Sequence, residues 1–307
     1  MDVLLYSVLF VASLAALLKA SDWLISSAEE IGLSAGIPPF IIGVTIVAFG
    51  TSLPELATAV AAVLDGQSEL VVSTVTGSNI ANIALVLGLV AVYGNGITLE
   101  KNIWHSDMPY LWAATFLLFF ALSDQSLDVF EALIFLGGIV IFLAYSFKPE
   151  EVEVEIIRRR AGWRPWFFLI LGIVLVWFGA DYTILAIKEL SEIAGIPPKI
   201  IGLSAVSLGT SLPEIIVSLN AARKGKSSIA VGNVLGSNIF NSFVVMGIPA
   251  LIGSLTIPTD IVTFYLPFMV ALTLLFGITA NNQRISRWEG WILLLFYLYF
   301  IHYLVSH

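Results

Sequence analysis

The chain has 307 residues, of which 58% are hydrophobic and only 12% are charged, and its mean hydropathy is +0.96. These values lie outside the range of soluble globular domains and identify an integral membrane protein. The formal net charge of -8 does not indicate a nucleic-acid partner, because the charges are sparse and several acids fall within apolar runs, and the lack of cysteine excludes disulfides and thiolate metal sites.

Ten apolar segments predict ten transmembrane helices, because about twenty apolar residues are needed to cross the hydrocarbon core of a bilayer. The first segment has no basic start and no convincing cleavage site, which favours a retained helix over a signal peptide. The predicted helices span 3–27, 38–64, 70–93, 107–122, 127–147, 165–189, 197–222, 228–252, 259–279 and 288–305.

The two halves of the chain are copies related by a shift of 159 residues without a gap. From position 35 to position 56, fifteen of twenty-two residues are identical to the residues 159 positions later. Each copy has five predicted helices, an odd number, so the second copy must enter the membrane from the opposite side. The predicted fold is therefore an all-α membrane protein with two inverted five-helix repeats, at 1–147 and 165–307, joined by a linker at 148–164.

Lysine and arginine residues predict the orientation of this fold. If the N-terminus is outside, twelve of the 14 basic residues lie at cytoplasmic loops or helix ends, and only Lys188 and Lys199 lie outside. This bias follows the positive-inside rule. We therefore expect a multi-pass protein of the cell membrane with both termini outside and the linker 148–164 in the cytoplasm, where it is interpreted as a solvated connector.

The sequence GTSLPE occurs twice, at 50–55 and 209–214, each time within a predicted membrane helix. Pro54 and Pro213 lack an N–H and crowd the carbonyl one turn earlier, so each is expected to open its helix near the glycine of the motif. Carbonyl groups freed within a bilayer are costly unless they line a cavity or bind a cation. The motif therefore predicts a functional opening of the helix at membrane depth.

The glutamates of this motif, Glu55 and Glu214, are the most informative residues, because an ionisable group at membrane depth indicates function by default. Glu55 lies one turn after Thr51 and three residues after Ser52, so its carboxylate, two hydroxyls and the main chain can share one helical face. The second copy repeats this spacing.

The next helix of each half carries GSNIAN or GSNIFN, in which a serine and an asparagine four residues apart share one face. These pairs are Ser78 with Asn82 and Ser237 with Asn241. A single serine or asparagine in a membrane helix is more often bonded to the backbone or to a neighbouring helix. Because all these residues occur together twice at the same spacing, they favour one shared site between the halves.

Carboxylates, hydroxyls, amides and carbonyls are oxygen ligands, which suit hard cations. Calcium takes about six to eight oxygen ligands with tolerant geometry, and sodium is also an oxygen binder. Softer metals favour imidazole or thiolate, but the three histidines lie in loops or at the C-terminus. The lack of core histidine and cysteine also disfavours an enzyme, and a channel would require a continuous pore. No cofactor and no obligatory protein partner are expected.

These paired motifs resemble the alpha repeats of the sodium/calcium exchangers, within the cation/calcium exchanger superfamily, over essentially the whole chain. The resemblance implies an antiporter that exchanges several Na⁺ for one Ca²⁺ by alternating access, with the first and sixth helices sliding against the rest. It implies calcium ligands at Glu55, Glu214 and the main-chain carbonyls of Thr51 and Thr210, completed by Asn82 and Asn241. It implies sodium ligands at Ser52, Ser78, Ser211, Ser237 and the main-chain carbonyls of Ala48 and Ser207.

The residue at position 241 separates related families. Potassium-dependent relatives have a similar second repeat but carry an acid there, so Asn241 disfavours potassium co-transport. The different signature of the proton/calcium exchangers does not occur in the chain. A proton-coupled or potassium-dependent calcium/cation exchanger is nevertheless the alternative hypothesis, because buried glutamates can titrate.

Overall fold

The computed structural model of the chain describes residues 2–99, 103–147, 161–195 and 211–306. Most of the predicted linker lies outside these residues. So does the first part of the predicted seventh helix, including the site residues Thr210 and Ser207. The repeat and linker boundaries therefore stay a prediction.

The described residues are almost entirely helical, which confirms the predicted all-α membrane fold. Eight of the helices are long and apolar enough to span a membrane, whereas α4 and the described part of α7 are shorter. The helices are α1 Asp2–Ser34, α2 Pro39–Leu64, α3 Glu69–Tyr93, α4 Met108–Ala121, α5 Val129–Ser146, α6 Trp163–Ile193, α7 Leu212–Arg223, α8 Ser227–Ile252, α9 Ile261–Ala280 and α10 Arg287–Ser306.

Short elements complete the connections between these helices. A one-turn helix, Ile103–Ser106, precedes α4, and a 3₁₀ turn, Leu122–Asp124, follows it. Two short strands, β1 Ile97–Thr98 and β2 Arg284–Ile285, pair antiparallel. This pairing places the α3–α4 and α9–α10 connections together at one end of the molecule.

Local sequence explains where α5 and α10 begin. At α5, the Glu131 N–H donates to Asp128 Oδ1 (2.8 Å) and the Asp128 N–H donates to Glu131 Oε2 (3.0 Å). Ser286 and Glu289 form the same reciprocal pair before and within α10. Such capping boxes satisfy N–H groups that have no acceptor within the helix, and they are especially valuable near a bilayer.

The two halves turn at equivalent positions. Gly36 and Gly195 follow the first helix of each half with φ angles of 79° and 75°, and Gly66 and Gly225 follow the second with 72° and 75°. Residues with a side chain rarely adopt this left-handed conformation, so glycine is required at these turns. The repeat seen in the sequence is thus also a repeat of backbone conformation.

The prediction that Pro54 opens α2 near Gly50 is wrong in its position. The helix stays α-helical from Ala48 to Leu64, with Pro54 inside it, and the irregular part is a π-helical segment, Gly43–Val47, that precedes it. Proline removes only one backbone hydrogen bond, which a helix surrounded by neighbours tolerates. The additional residue per turn of the π segment shifts the side chains that follow it.

Equivalent π-helical segments occur in α3 and α8, at Asn82–Leu87 and Asn241–Val245. Each begins at the final asparagine of its GSNIAN or GSNIFN motif. Insertions of this kind are common at functional sites, because they change the direction of side chains within a helix.

The helices α2, α3, α7 and α8 form the centre of the molecule. Helix α2 packs along α8, and α3 packs against α7 and α10. The first and sixth helices, α1 and α6, pack against each other along their length, while α4 packs against α9 and α5 packs against α8. The two halves therefore interlock, because the main packing partners of most helices belong to the other half.

Small residues set the close contact between α1 and α6. A Cβ added at Gly172 would lie 2.9 Å from the main-chain nitrogen of Leu24, and one added at Gly179 would lie 2.9 Å from Leu17 Cβ. Glycine lets two membrane helices approach to backbone contact.

Glycine also brings α2 against α8. A Cβ added at Gly43 would lie 2.5 Å from the carbonyl oxygen of Ile229, and one added at Gly236 would overlap the carbonyl oxygen of Val44. Gly236 is the first residue of GSNIFN. This crossing therefore places the GTSLPE motif of the first half beside the GSNIFN motif of the second.

Candidate cation-binding site

The two glutamates predicted at the centre are both buried in the core. Glu55 lies in α2 and Glu214 lies in the first turn of α7, and their side chains are 1% and 0% exposed. Ser52, three residues before Glu55 in α2, contacts Glu214 at 3.1 Å, so the two acids lie in the same part of the core. Two acids from opposite halves thus meet at a place where an ionised carboxylate is costly without a counter-charge.

Hydroxyl groups from both halves contact one oxygen of Glu214. Ser52 Oγ, in α2, donates to Glu214 Oε1 at 3.1 Å, and Ser237 Oγ, in α8, donates to the same oxygen at 3.4 Å. Ser52 and Glu214 belong to different copies of GTSLPE. The contact shows that the two copies face each other across the middle of the molecule.

Three of the four carboxylate oxygens have no hydrogen-bond partner among the described residues. They are both oxygens of Glu55 and Oε2 of Glu214. Buried polar atoms in native proteins almost always have a partner, so each exception requires an explanation. A bound cation would supply the missing interaction for all three.

Three further predicted ligands show the same property. The amide oxygen and nitrogen of Asn82 and of Asn241 are buried without a partner among the described residues, and so is Ser211 Oγ. Asn82 and Asn241 begin the π-helical segments of α3 and α8. The unpaired atoms thus fall on the elements that carry the repeated motifs.

The central asparagines of the two motifs join the halves directly. Asn238 Nδ2 donates to the carbonyl oxygen of Asn79 at 3.2 Å, and Asn79 Nδ2 lies 3.5 Å from the carbonyl oxygen of Asn238. Asn79 Nδ2 also donates to Ser242 Oγ at 3.0 Å. The sequence analysis missed this pair, although the repetition of asparagine as the third residue of both motifs was available as a signal.

Thr51, another predicted ligand, contacts the other half through its hydroxyl. Thr51 Oγ1 lies 3.2 Å from Asn233 Oδ1 and 3.5 Å from Ser237 Oγ, and it also lies 3.2 Å from the carbonyl oxygen of Ala48. The sequence analysis did not predict a role for Asn233. The repeat gave no indication of Asn233, because the equivalent residue of the first half is Thr74, which has no amide.

Hydrogen bonds therefore join four predicted site residues, Thr51, Ser52, Ser237 and Glu214, in one buried region, and the other predicted site residues within the described ranges are buried too. Ser78 is also buried, at 1% exposure, in α3. The predicted carbonyl ligands Thr210 and Ser207 lie outside the described residues. Within the described ranges, no group of three or more histidine, cysteine, aspartate and glutamate residues forms a conventional metal cluster. The site offers instead two carboxylates with hydroxyl and amide groups around them.

Comparisons with known proteins identify relatives that match both halves of the chain. Residues 5–148 and 164–306 match the family model described as sodium/calcium exchanger protein. The chain is 31% identical to the sodium/calcium exchanger MaX1 of Methanosarcina acetivorans, over 93% of this chain and 94% of MaX1. It is 35% identical to the inner membrane protein YrbG of Escherichia coli, over 81% of this chain and 80% of YrbG.

A solved structure gives the same result for the fold. The sodium-calcium exchanger NCX_Mj, soaked with zero Na⁺ and Ca²⁺, superimposes with a TM-score of 0.84 and 29% identity, over 98% of this chain and 99% of NCX_Mj. The match of the family model to both halves, together with these relatives, shows that the chain belongs to the sodium/calcium exchanger family.

Proposed function

We propose that this protein is an antiporter that exchanges several Na⁺ for one Ca²⁺ across the cell membrane by alternating access. The observation that carries the proposal is the buried pair Glu55 and Glu214, one from each half, with three of four oxygens lacking a partner among the described residues. Two carboxylates together match the charge of one Ca²⁺.

The proposed calcium position uses side chains and main-chain carbonyls of both halves. Glu55 and Glu214 provide the charge, and the main-chain carbonyls of Thr51 and Thr210 are the additional proposed ligands. The amide oxygens of Asn82 and Asn241 lie on the adjacent helices. Oxygen ligands in this number suit the coordination of Ca²⁺, which takes about six to eight.

Sodium would compete for the same carboxylates from flanking positions. Ser52 Oγ and Ser237 Oγ already contact Glu214 Oε1, so an ion held by these hydroxyls shares that carboxylate with calcium. Other proposed sodium ligands are Ser78, Ser211 and the carbonyls of Ala48 and Ser207. Loading by either ion reduces the charge of the site, whereas an empty site leaves two desolvated carboxylates, which opposes return without cargo.

The two ends of the molecule differ in a way that fits alternating access. At one end, α1 is joined to the α7–α8 turn, because Lys224 Nζ lies 2.6 Å from Asp22 Oδ1 and Lys226 pairs with Glu29. Toward the other end, an open apolar groove of about 480 Å³ lies between α2 and Trp177 of α6, and its α2 lining residues are Leu53, Leu56, Ala57, Val60, Ala61 and Leu64. We infer that α1 and α6 slide together relative to the other helices. This movement would separate α1 from Lys224 and Lys226 at the first end and close the groove at the other.

The orientation follows from the positive-inside rule. We propose that the end at which Lys224 and Lys226 bind α1 faces the cytoplasm, as does the linker 148–164, and that both termini lie outside. The groove between α2 and α6 then opens to the exterior. If more than two Na⁺ move for each Ca²⁺, each additional charge couples to the membrane potential by about 2.3 kcal/mol per 100 mV.

A vesicle experiment tests the proposed function. Purified protein is reconstituted into liposomes loaded with Na⁺, and uptake of calcium-45 is measured after dilution into Na⁺-free buffer. Uptake should require the outward Na⁺ gradient and should not require K⁺. Uptake that follows an outward H⁺ gradient instead, or that needs K⁺ in the external buffer together with Ca²⁺, would replace the proposal with the proton-coupled or potassium-dependent alternative.

A further inference from the structure

A buried asparagine of α8 connects the two helices that carry the glutamates. Asn233 is 0% exposed, its Oδ1 accepts from Thr51 Oγ1 of α2 at 3.2 Å, and its Nδ2 donates to Ser218 Oγ of α7 at 3.0 Å. Both polar atoms of the amide are therefore used within the protein. Asn233 lies outside both repeated motifs and is not one of the predicted ligands, so any role that it has is additional to theirs.

The Thr51 hydroxyl has one proton and three acceptors within reach. Its Oγ1 is 3.2 Å from the carbonyl oxygen of Ala48, 3.2 Å from Asn233 Oδ1 and 3.5 Å from Ser237 Oγ, so Ser237 is the most distant of the three. A hydroxyl can donate to only one acceptor at a time. If the proton is donated to Ala48, it occupies a lone pair of the carbonyl that is proposed to bind sodium.

Ser218 determines which way the Asn233 amide faces. Because Nδ2 donates to Ser218 Oγ, the amide oxygen is directed toward Thr51 and offers the hydroxyl proton an acceptor. The proton then has a partner that is not a cation ligand. Ser237, one turn further along α8, remains available to contact Glu214.

We propose that Asn233 is a positioning residue that draws the Thr51 hydroxyl proton away from the Ala48 carbonyl and so keeps that carbonyl free for Na⁺. The inference rests on the proposed function, because it takes Ala48 as a sodium ligand. Asn233 should act selectively on sodium. Calcium is proposed to bind the carbonyl of Thr51 and the two glutamates, and the Ala48 carbonyl is not among its proposed ligands.

The arrangement belongs to one half only. The residue equivalent to Asn233 in the first half is Thr74, whose shorter side chain has no amide to span two hydroxyls. The two flanking sodium positions are therefore inequivalent despite the repeat. Thr74 also provides a matched control, since it occupies the same place in the other half.

The test is a double-mutant cycle with Asn233→Leu and Thr51→Val, both of similar size to the native residues. Alone, Asn233→Leu should raise the Na⁺ concentration needed for half-maximal inhibition of calcium-45 uptake about fivefold, the effect of one hydrogen bond. The half-saturating Ca²⁺ concentration should change less than twofold. In the Thr51→Val background, which has no hydroxyl proton, Asn233→Leu should have no effect on Na⁺.

The expected control result is that Thr74→Val leaves the Na⁺ dependence unchanged. An equal shift for Ca²⁺ and Na⁺, or a shift that persists with Thr51→Val, would assign Asn233 a merely structural role. If Asn233→Leu does not fold, Ser218→Ala should give a smaller Na⁺-selective shift, and no shift would overturn the proposal.

Failure of this inference can be distinguished from failure of the proposed function. Na⁺ binding is also measured without transport, by the rise in melting temperature of the purified protein with Na⁺ concentration. Absence of Na⁺-driven uptake in the wild-type protein would reject the antiporter. A normal wild-type response with no Na⁺-selective change in Asn233→Leu would reject only the role of Asn233.

Discussion

The two copies of GTSLPE have the same sequence, but their glutamates have different surroundings. Glu214 Oε1 accepts hydrogen bonds from Ser52 and Ser237, whereas neither oxygen of Glu55 has a partner among the described residues. Ser211, which is equivalent to Ser52, likewise has no partner for its hydroxyl in this part of the chain. The repeat thus determines which residues reach the centre, while packing between the halves determines how each is held.

This difference suggests that Glu55 and Glu214 contribute differently to the proposed cation site. Hydroxyl groups bond one oxygen of Glu214, whereas in the proposed site the cation would provide the contacts that both oxygens of Glu55 lack among the described residues. Both charges are nevertheless needed to balance Ca²⁺. The expected effects of substitution range from loss of transport, when a carboxylate is removed, to small shifts when contacts outside the site are altered.

The largest effect is expected when either carboxylate is neutralised. Glu55→Gln and Glu214→Gln should each lower Na⁺-driven calcium-45 uptake about a hundredfold or more, because one buried charge then faces Ca²⁺ alone. Glu30→Gln, at an exposed acid in α1, is the control and should transport normally. Normal uptake by either site variant would contradict a calcium position shared between the halves.

Asn82 and Asn241 should behave alike, in contrast to the glutamates, because the amides of both lack partners within the described ranges. Asn82→Leu and Asn241→Leu should each weaken the apparent Ca²⁺ affinity about tenfold, through loss of one oxygen ligand. Saturation curves for calcium-45 uptake measure the effect. A change of Ca²⁺ affinity in only one of the two variants would show that the two asparagines, like the two glutamates, are not equivalent.

Ser52 and Ser211 occupy equivalent positions in the two halves, but of the two only Ser52 contacts a glutamate among the described residues. Ser52→Ala removes a hydrogen bond to Glu214, so it should lower the melting temperature of cation-free protein by a few degrees, about 1 kcal/mol. Ser211→Ala should leave that temperature nearly unchanged, because its hydroxyl has no hydrogen-bond partner among the described residues. Both should weaken Na⁺ inhibition of uptake several-fold. Equal melting temperatures for the two variants would remove the proposed distinction.

The smallest effect concerns a contact that one half has and the other lacks. Lys224 pairs with Asp22, whereas the residue equivalent to Lys224 in the first half is the acid Asp65. The paired side chains are 31% and 37% exposed, and such pairs contribute about 1 kcal/mol or less. Lys224→Gln should therefore shift the balance between the two access states only about two- to fivefold.

Thiol labelling can measure this shift, because the chain has no cysteine. Ala57→Cys places one thiol in the groove between α2 and α6. Its labelling by a membrane-impermeant reagent should slow when Lys224→Gln is added. Faster labelling, or none of the expected change, would show that the ion pair does not favour the arrangement with the groove open.

Much of the fold could be predicted from sequence, because hydrophobic length and the exact repeat are strong signals in a membrane protein. Glu55 and Glu214 were found for the same reason, since a buried acid is rarely tolerated without function. The end of α1 was predicted too early, at position 27, because polar residues follow it. In the structure Glu29 pairs with Lys226, which lets the helix continue to Ser34.

Other features could not be predicted because they depend on contacts between the halves. No residue pattern in the sequence marks the π-helical segments that begin at Asn82 and Asn241. They occur where α3 and α8 pack together. The position of Asn233 between α2 and α7 depends on the glycine-mediated crossing of α2 and α8. The sequence shows the periodicity within each helix, but it does not show which helices pack against each other.

Direct localisation of the ions tests the shared site most directly. Crystals of the protein soaked with Ca²⁺ should show one strong anomalous peak within about 2.3–2.6 Å of carboxylate oxygens from both Glu55 and Glu214. A second soak in high Na⁺ without Ca²⁺ should remove that peak. A calcium ion bound to only one of the two glutamates, or bound elsewhere with both carboxylates free, would contradict the proposal that the inverted halves hold the ion jointly.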